Sequence, residues 1–110
     1  DRLQRQLPSW TVDKGHLCRT FQTNGWRSSM LLANGIGHLA EVAWHHPDLE
    51  IAWGRVGVRL RTHDADAITD KDFELARKIE AVVMWQPAGE GGALEGTPDQ
   101  PQFRYLLYED

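Results

Sequence analysis

The chain is 110 residues long, so we expect one domain that buries a single hydrophobic core without disulfides or a structural metal. Sixteen acidic and twelve basic side chains give a formal net charge of −4, which disfavours direct binding to nucleic acid. The single cysteine, Cys18, and the lack of a run of about 18 apolar residues predict a cytoplasmic protein with no membrane segment.

Two strand-like runs and a long helix are predicted in the first half of the chain. Residues 10–12 and 17–21 flank an Asp-Lys-Gly turn, which predicts a hairpin. Over residues 28–44, apolar side chains recur at helical spacing and predict one helix. Gly35 and Gly37 interrupt this pattern, so we expect a close neighbour that excludes side chains there.

The second half of the chain repeats this order of elements. Residues 49–53 and 56–61 alternate in polarity and predict two strands joined by a turn or a bulge. A helix is predicted over residues 69–84, with acidic residues in its first turn. Residues 86–101 are rich in Gly and Pro and predict a loop, whereas the aromatic run 103–108 predicts a terminal strand. The whole order predicts a single α+β domain, with an antiparallel sheet of about four strands and helices packed on one face.

Three histidines and two carboxylates lie close together in the middle of the chain. The pattern that contains them consists of Glu41, His45, His46, Pro47, Trp53, Thr62, His63 and Asp72. A free imidazole titrates at about pH 6.5, so one histidine of such a group can hold a proton while another accepts one. General acid and base catalysis of a dehydration uses that division of labour.

Each of these features also has a structural interpretation. Glu41 and His45 alone, four residues apart near a helix end, are typical of a surface pair. Asp72 lies three residues after Thr69, which is a capping-box position, and it can serve both roles. The ligand spacings of common zinc sites are absent, so we expect no metal.

Other arginines and tryptophans are expected to have structural roles. Arg55, Arg59 and Arg61 form a basic row by strand alternation, which is typical of a solvated face and less often of a surface for acidic partners. Four tryptophans are expected in the core or at an interface: Trp10, Trp26, Trp44 and Trp85.

The whole constellation resembles the signature of the pterin-4a-carbinolamine dehydratases. The resemblance rests on the pattern from Glu41 to Asp72 and on the flanking segments 60–63 and 68–73, and it covers residues 3–85. It implies the family's α+β fold, a homodimer or homotetramer, and no metal or organic cofactor. It also implies the family reaction, in which a 4a-hydroxytetrahydropterin substrate loses water and becomes quinonoid dihydropterin.

The resemblance implies a role for each residue of the signature. His45, His46 and His63 line the pocket, and we expect His46 and His63 to deliver a proton to the hydroxyl and to accept one from N5. The carboxylates of Glu41 and Asp72 are expected to orient the histidines. Substrate-binding positions are expected at Asp48, Thr62 and Asp64, for the polar pterin edge, and at Trp53, which walls the ring.

Departures from the family pattern and the tail predict an alternative. Arg61 stands where relatives commonly have Ser or Thr, and Asp66-Ala67 replaces a pair that contains glycine. Residues 1–85 are expected to form the dehydratase-like domain, and residues 86–110 a loop and strand that extend it. This extension resembles the tail of a bacterial subgroup that includes dehydratase-like Rubisco assembly factors linked to α-carboxysomes. The alternative is therefore a non-catalytic, chaperone-like protein with Rubisco as its partner.

Overall fold

The structure is a computed structural model that describes residues 1–108. Its elements are α1 (Arg2–Gln6), β1 (Thr11–Asp13), β2 (His16–Gln22), α2 (Trp26–Ala43), β3 (Asp48–Ala52), β4 (Arg55–Leu60) and α3 (Asp70–Val83), followed by 3₁₀ turns at Pro87–Glu90 and Pro101–Phe103. All strand pairs are antiparallel and form one sheet in the order β1-β2-β4-β3. The predicted α+β domain with a four-stranded antiparallel sheet is confirmed.

Two-residue turns close both hairpins. Lys14 and Gly15 have φ angles of 51° and 79°, the left-handed pair that matches the twist of a two-residue hairpin. The first hairpin is thus confirmed. The second hairpin joins β3 to β4 through Trp53 and Gly54, so this segment is a tight turn and not a bulge.

One face of the sheet forms the hydrophobic core together with α2 and α3. The apolar residues of β2 and β4 on this face are fully buried: Leu17, Phe21, Val56, Val58 and Leu60. The helices cover them with apolar stripes that include Leu32, Ile36, Leu75 and Ile79. Packing of both helices against the same sheet face confirms the predicted layer arrangement.

Helix α2 forms close to the predicted range although it contains two glycines. A Cβ built at Gly35 or Gly37 would meet no atom within 4 Å. The prediction that a close neighbour excludes side chains at these positions is therefore wrong. Both positions open onto free space, and the buried stripe of α2 offsets the cost of about 1 kcal/mol for each glycine. In the part of the chain that the structure describes, neither α2 nor another helix is long and apolar enough to cross a membrane.

A partly buried polar contact at the edge of the core joins the sheet to α3. Arg19 points to the core side of β2, and its Nε and Nη2 each donate to one carboxylate oxygen of Glu80 at 3.0 Å. The indole N–H of Trp10 donates to the same carboxylate at 2.8 Å. This bidentate ion pair holds α3 against the sheet. It thereby helps to position Asp72, which lies in the first turn of α3.

The C-terminal segment packs against the domain but does not form the strand predicted over residues 103–108. It makes only one isolated bridge, at Leu106, whose side chain is buried in the core. The Asn24 side-chain amide donates to the carbonyl oxygens of Pro101 and Arg104, both at 3.1 Å. The predicted strand over residues 103–108 is therefore wrong as a continuous strand. Pairing is limited to the bridge between Leu106 and Thr23, where the Asn24 N–H donates to the Tyr105 carbonyl at 3.1 Å and the Leu107 N–H to the Gln22 carbonyl at 3.0 Å.

The segment before it is irregular apart from the 3₁₀ turn at Pro87–Glu90, as its Gly and Pro content predicts. The last two residues of the extension predicted over 86–110, residues 109 and 110, lie outside the described residues.

Candidate active site

The most buried part of the candidate site is a contact between His45 and Asp72. Asp72 is fully buried, and its Oδ1 lies 2.6 Å from His45 Nε2. Its Oδ2 accepts hydrogen bonds from the Thr62 hydroxyl and the Thr69 backbone N–H, both at 2.8 Å. Both oxygens of the buried carboxylate are thus satisfied, which the burial of a charge requires. Asp72 therefore fixes the His45 ring and links it to the chain segment just before His63.

Asp72 also begins helix α3. Thr69 is the N-cap, its hydroxyl accepts from the Lys71 N–H at 3.3 Å, and the Asp72 carboxylate reaches back to the Thr69 N–H. The predicted capping box is confirmed. Asp72 consequently caps α3 and contacts His45 with the same carboxylate.

Helix α2 ends in a turn that sends two adjacent histidines in different directions. Trp44 is left-handed, with φ 53° and ψ 48°, and the His45 N–H donates to the Ala40 carbonyl at 3.1 Å. These are the features of a Schellman motif. After this turn the His45 side chain is 13% exposed, whereas His46 is 49% exposed and its Nε2 lies 2.6 Å from Glu41 Oε1.

His63 lies on a short loop between β4 and α3. A bridge between Thr62 and Ala67 closes this loop. Arg61 Nη2 donates to the Asp66 carbonyl oxygen at 3.1 Å and also to the Asp66 carboxylate. The two departures from the family pattern, Arg61 and Asp66, therefore contact each other across the loop that carries the exposed His63.

The predicted substrate-binding residues lie at two different ends of the sheet. Asp48 begins β3 and Asp64 follows β4, so both lie at the histidine end. Trp53 lies in the β3–β4 turn, and its indole lies next to Gly25. A Cβ added at Gly25 would be 3.6 Å from Cζ2 of the indole. Because five residues of extended strand span about 16 Å, the structure does not bring Trp53 to the histidines of the same chain.

Among residues 1–108, two of the cavities have volumes in the range of about 300–1,000 Å³ that is usual for binding a small organic molecule. The first, of about 480 Å³, is an open depression at the start of α3 that is lined by Thr62, Asp64, Ala65, Thr69, Asp70 and Lys71, with no histidine among its lining residues. The second, of about 430 Å³, lies in the C-terminal segment, between Trp85 and Tyr108. The first contains two predicted substrate-binding residues, and the second contains none.

The predicted basic row does not form a continuous positive surface. Each arginine has an acidic neighbour, in the pairs Arg55–Glu50, Arg59–Asp13 and Arg61–Asp66. Such exposed pairs contribute little stability, but they neutralise the local charge. The three arginines therefore lie on a solvated polar surface, as is typical of a basic row on a strand.

Trp44 lies beside the histidines, although it was expected in the core or at an interface. Burial in the core is confirmed for Trp10, but the other three tryptophans are more than half exposed. The Trp44 side chain is 75% exposed, and its ring centre lies 4.9 Å from that of His46 with the ring planes at 83°. The signal that points to it is its position, directly between a helix end and the His45-His46 pair.

Two imidazole–carboxylate contacts of different burial thus lie at one end of the sheet. His45–Asp72 is buried and fixed, whereas His46–Glu41 is open to solvent and to a bound ligand. Within residues 1–108, no group of three or more His, Cys, Asp and Glu side chains is placed to hold a metal ion. The arrangement suits proton transfer to and from a bound organic molecule.

Comparisons with known proteins identify a family that matches most of the chain. Residues 1–82 match the protein family described as "Pterin 4 alpha carbinolamine dehydratase". A "Putative pterin-4-alpha-carbinolamine dehydratase" from Aquifex aeolicus (strain VF5) is 40% identical over 77 residues, which are 70% of this chain and 78% of that protein. A protein of the same description from Rubrobacter xylanophilus is 42% identical over 81 residues, 73% of this chain and 76% of that protein.

A solved structure has the same fold. The crystal structure of a transcriptional coactivator/pterin dehydratase from Brucella Melitensis has a TM-score of 0.67 and 30% sequence identity to this chain. The alignment covers 74% of this chain and 88% of that chain.

Proposed function

Because this chain belongs to the pterin-4a-carbinolamine dehydratase family, we propose that it dehydrates 4a-hydroxytetrahydropterin to quinonoid dihydropterin by histidine acid and base catalysis. The observation that carries the proposal is the presence of two imidazole–carboxylate contacts, His45–Asp72 and His46–Glu41, at one end of the sheet. Family membership indicates the reaction, and these contacts suggest how its protons move.

The reaction breaks one carbon–oxygen bond and moves two protons. The 4a-oxygen takes a proton from a protonated histidine as the C4a–O bond breaks, and it leaves as water. N5 gives its proton to a neutral histidine, and the electron pair of that N–H bond completes the double bond between C4a and N5. One imidazole has then lost a proton and the other has gained one, so proton exchange between them restores the protein.

His46 and His63 are the proposed proton carriers. Both side chains are exposed, so both can meet a ligand and exchange protons with water. The Glu41 contact occupies Nε2 of His46, which leaves Nδ1 for the substrate. His45 is held by Asp72 and serves as a fixed hydrogen-bonding group in the pocket wall.

The polar edge of the pterin is assigned to the open depression at the start of α3. Thr62 and Asp64 line it, and Asp48 lies at the same end of the sheet. Hydroxyl and carboxylate oxygens accept hydrogen bonds from the amino and ring N–H groups of a pterin.

A direct rate measurement tests the histidine roles. Dehydration of freshly generated 4a-hydroxytetrahydropterin is followed by ultraviolet absorbance. His46→Ala and His63→Ala are each expected to lower the rate about a hundredfold or more while the fold is kept. His38→Ala is the matched control, because His38 is exposed on α2 and lies outside the site. Equal rates for the parent and all three variants would contradict histidine catalysis.

The assembly-factor alternative stays a prediction. The C-terminal segment that motivates it lies beyond residue 82, where the family match ends, and its Leu106 forms a bridge with Thr23, just after β2. A folded protein that leaves the spontaneous dehydration rate unchanged and binds Rubisco would favour this alternative over the enzyme.

A further inference from the structure

We propose that Trp44 is a substrate-binding residue, which offers a flat apolar surface to the pterin directly beside the proton carrier His46. This inference rests on the proposed dehydratase function and deepens it. Trp44 has no part in the histidine and carboxylate signature, and the residue that the sequence predicted to wall the ring, Trp53, lies at the other end of β3.

The backbone at Trp44 does not favour a tryptophan. Its φ of 53° and ψ of 48° lie in the left-handed region, which glycine adopts most easily. A bulky residue in this region is uncommon, and such residues cluster at functional sites. The turn at the end of α2 would form more easily with glycine, so the indole is not there to shape the backbone.

Core packing does not explain the side chain either. Its exposed fraction is 75%, the largest among the large hydrophobic side chains of residues 1–108. Its contact is with a site residue: the ring centres of Trp44 and His46 are 4.9 Å apart, with the planes at 83°. This near-perpendicular geometry is a favoured arrangement of aromatic rings.

The contacts around His46 show what the indole can do. Glu41 lies 2.6 Å from Nε2 of the imidazole, and Trp44 packs against the same ring. The imidazole is therefore held by a carboxylate and an indole, while most of the indole surface remains open. An open indole next to a proton carrier fits the planar pyrimidine half of a pterin, because aromatic side chains bind flat heterocycles by stacking.

Three variants separate binding from folding. Trp44→Gly removes the ring and suits the left-handed backbone, so it should fold at least as well as the parent. Trp44→Phe retains a smaller aromatic ring at the same place. Trp85→Ala is the matched control, because Trp85 is 53% exposed, bonds to Glu90 and lies outside the histidine site.

The expected result is a rise in KM for the carbinolamine of about tenfold in Trp44→Gly, with a much smaller change in kcat. Trp44→Phe should recover most of the loss, and Trp85→Ala should behave as the parent. Binding of biopterin, a stable oxidised pterin, measured by calorimetry should weaken in the same order.

Other results would overturn the inference in distinguishable ways. A Trp44→Gly protein that keeps the parent's KM and biopterin affinity overturns it and leaves the dehydratase proposal intact. If that variant also changes its oligomeric state in light scattering, the indole belongs to a contact between copies of the chain. A parent that neither accelerates dehydration nor binds biopterin overturns both proposals together.

Discussion

The exchange Asp72→Asn should lower the free energy of unfolding by about 2 kcal/mol. Asp72 is fully buried and accepts three hydrogen bonds, from His45, Thr62 and Thr69. The amide keeps the size of the side chain but removes its charge. One of its two ends becomes a donor, so it can no longer accept from all three partners.

The magnitude follows from these contacts. A hydrogen bond to a charged group contributes about 1.5–3 kcal/mol and a neutral one about 0.5–1.5 kcal/mol, so three weakened bonds set an upper limit of about 4 kcal/mol. The expected loss is about half of that limit, because bonds in one network are not additive and the new N–H₂ group can donate to His45. For a domain of this size, 2 kcal/mol corresponds to a fall in Tm of about 10 °C.

Urea unfolding followed by tryptophan fluorescence measures this loss. Asp70→Asn is the matched control, because Asp70 lies in the same first turn of α3 with a side chain that is 76% exposed and pairs with Arg2. An exposed pair of this kind contributes about 0–1 kcal/mol, so the control should change little. Equal losses in the two variants would refute the assignment of Asp72 as the buried acceptor that connects α3, Thr62 and His45.

Two further predictions concern the core and the C-terminal segment. Glu80→Gln should cost about 2 kcal/mol, because the Arg19 guanidinium and the Trp10 indole N–H lose a shared charged acceptor; an unchanged urea midpoint would contradict this. Burial raises the pKa of Tyr105 and of Tyr108 above the ordinary 10.0. The folded state therefore holds these protons more tightly than the unfolded chain, so their stabilising contribution is full below pH 10.0 and is lost as pH rises through the raised pKa values. A phenolate absorbance titration should be shifted to higher pH than that of the urea-unfolded protein, and coincident curves would disprove the shift.

The elements that the sequence predicted correctly depend on neighbours along the chain. The hairpin turn at Lys14-Gly15 needs two left-handed residues, and the start of α3 needs Thr69 and Asp72 at capping-box spacing. The terminal strand was predicted wrongly because its path depends on Asn24, about 80 residues away. A run of aromatic residues does not report the position of such a distant partner.

In the candidate site, too, the sequence predicts which residues take part but not how they are arranged. The signature contains the residues that form the His45–Asp72 and His46–Glu41 contacts, but the spacing does not show which histidine is buried. That choice is made by the left-handed turn at Trp44, a conformation that is not expected for tryptophan. The same turn leaves the indole exposed beside His46, which periodicity along α2 does not predict.

The dehydration rate of freshly generated 4a-hydroxytetrahydropterin, measured with the purified parent protein and with His46→Ala, tests the central claim most directly. If His46 carries a proton in the reaction, the parent accelerates dehydration well above the spontaneous rate and the variant loses about a hundredfold or more of that acceleration. A correctly folded parent that leaves the spontaneous rate unchanged, or a variant as fast as the parent, would contradict this claim.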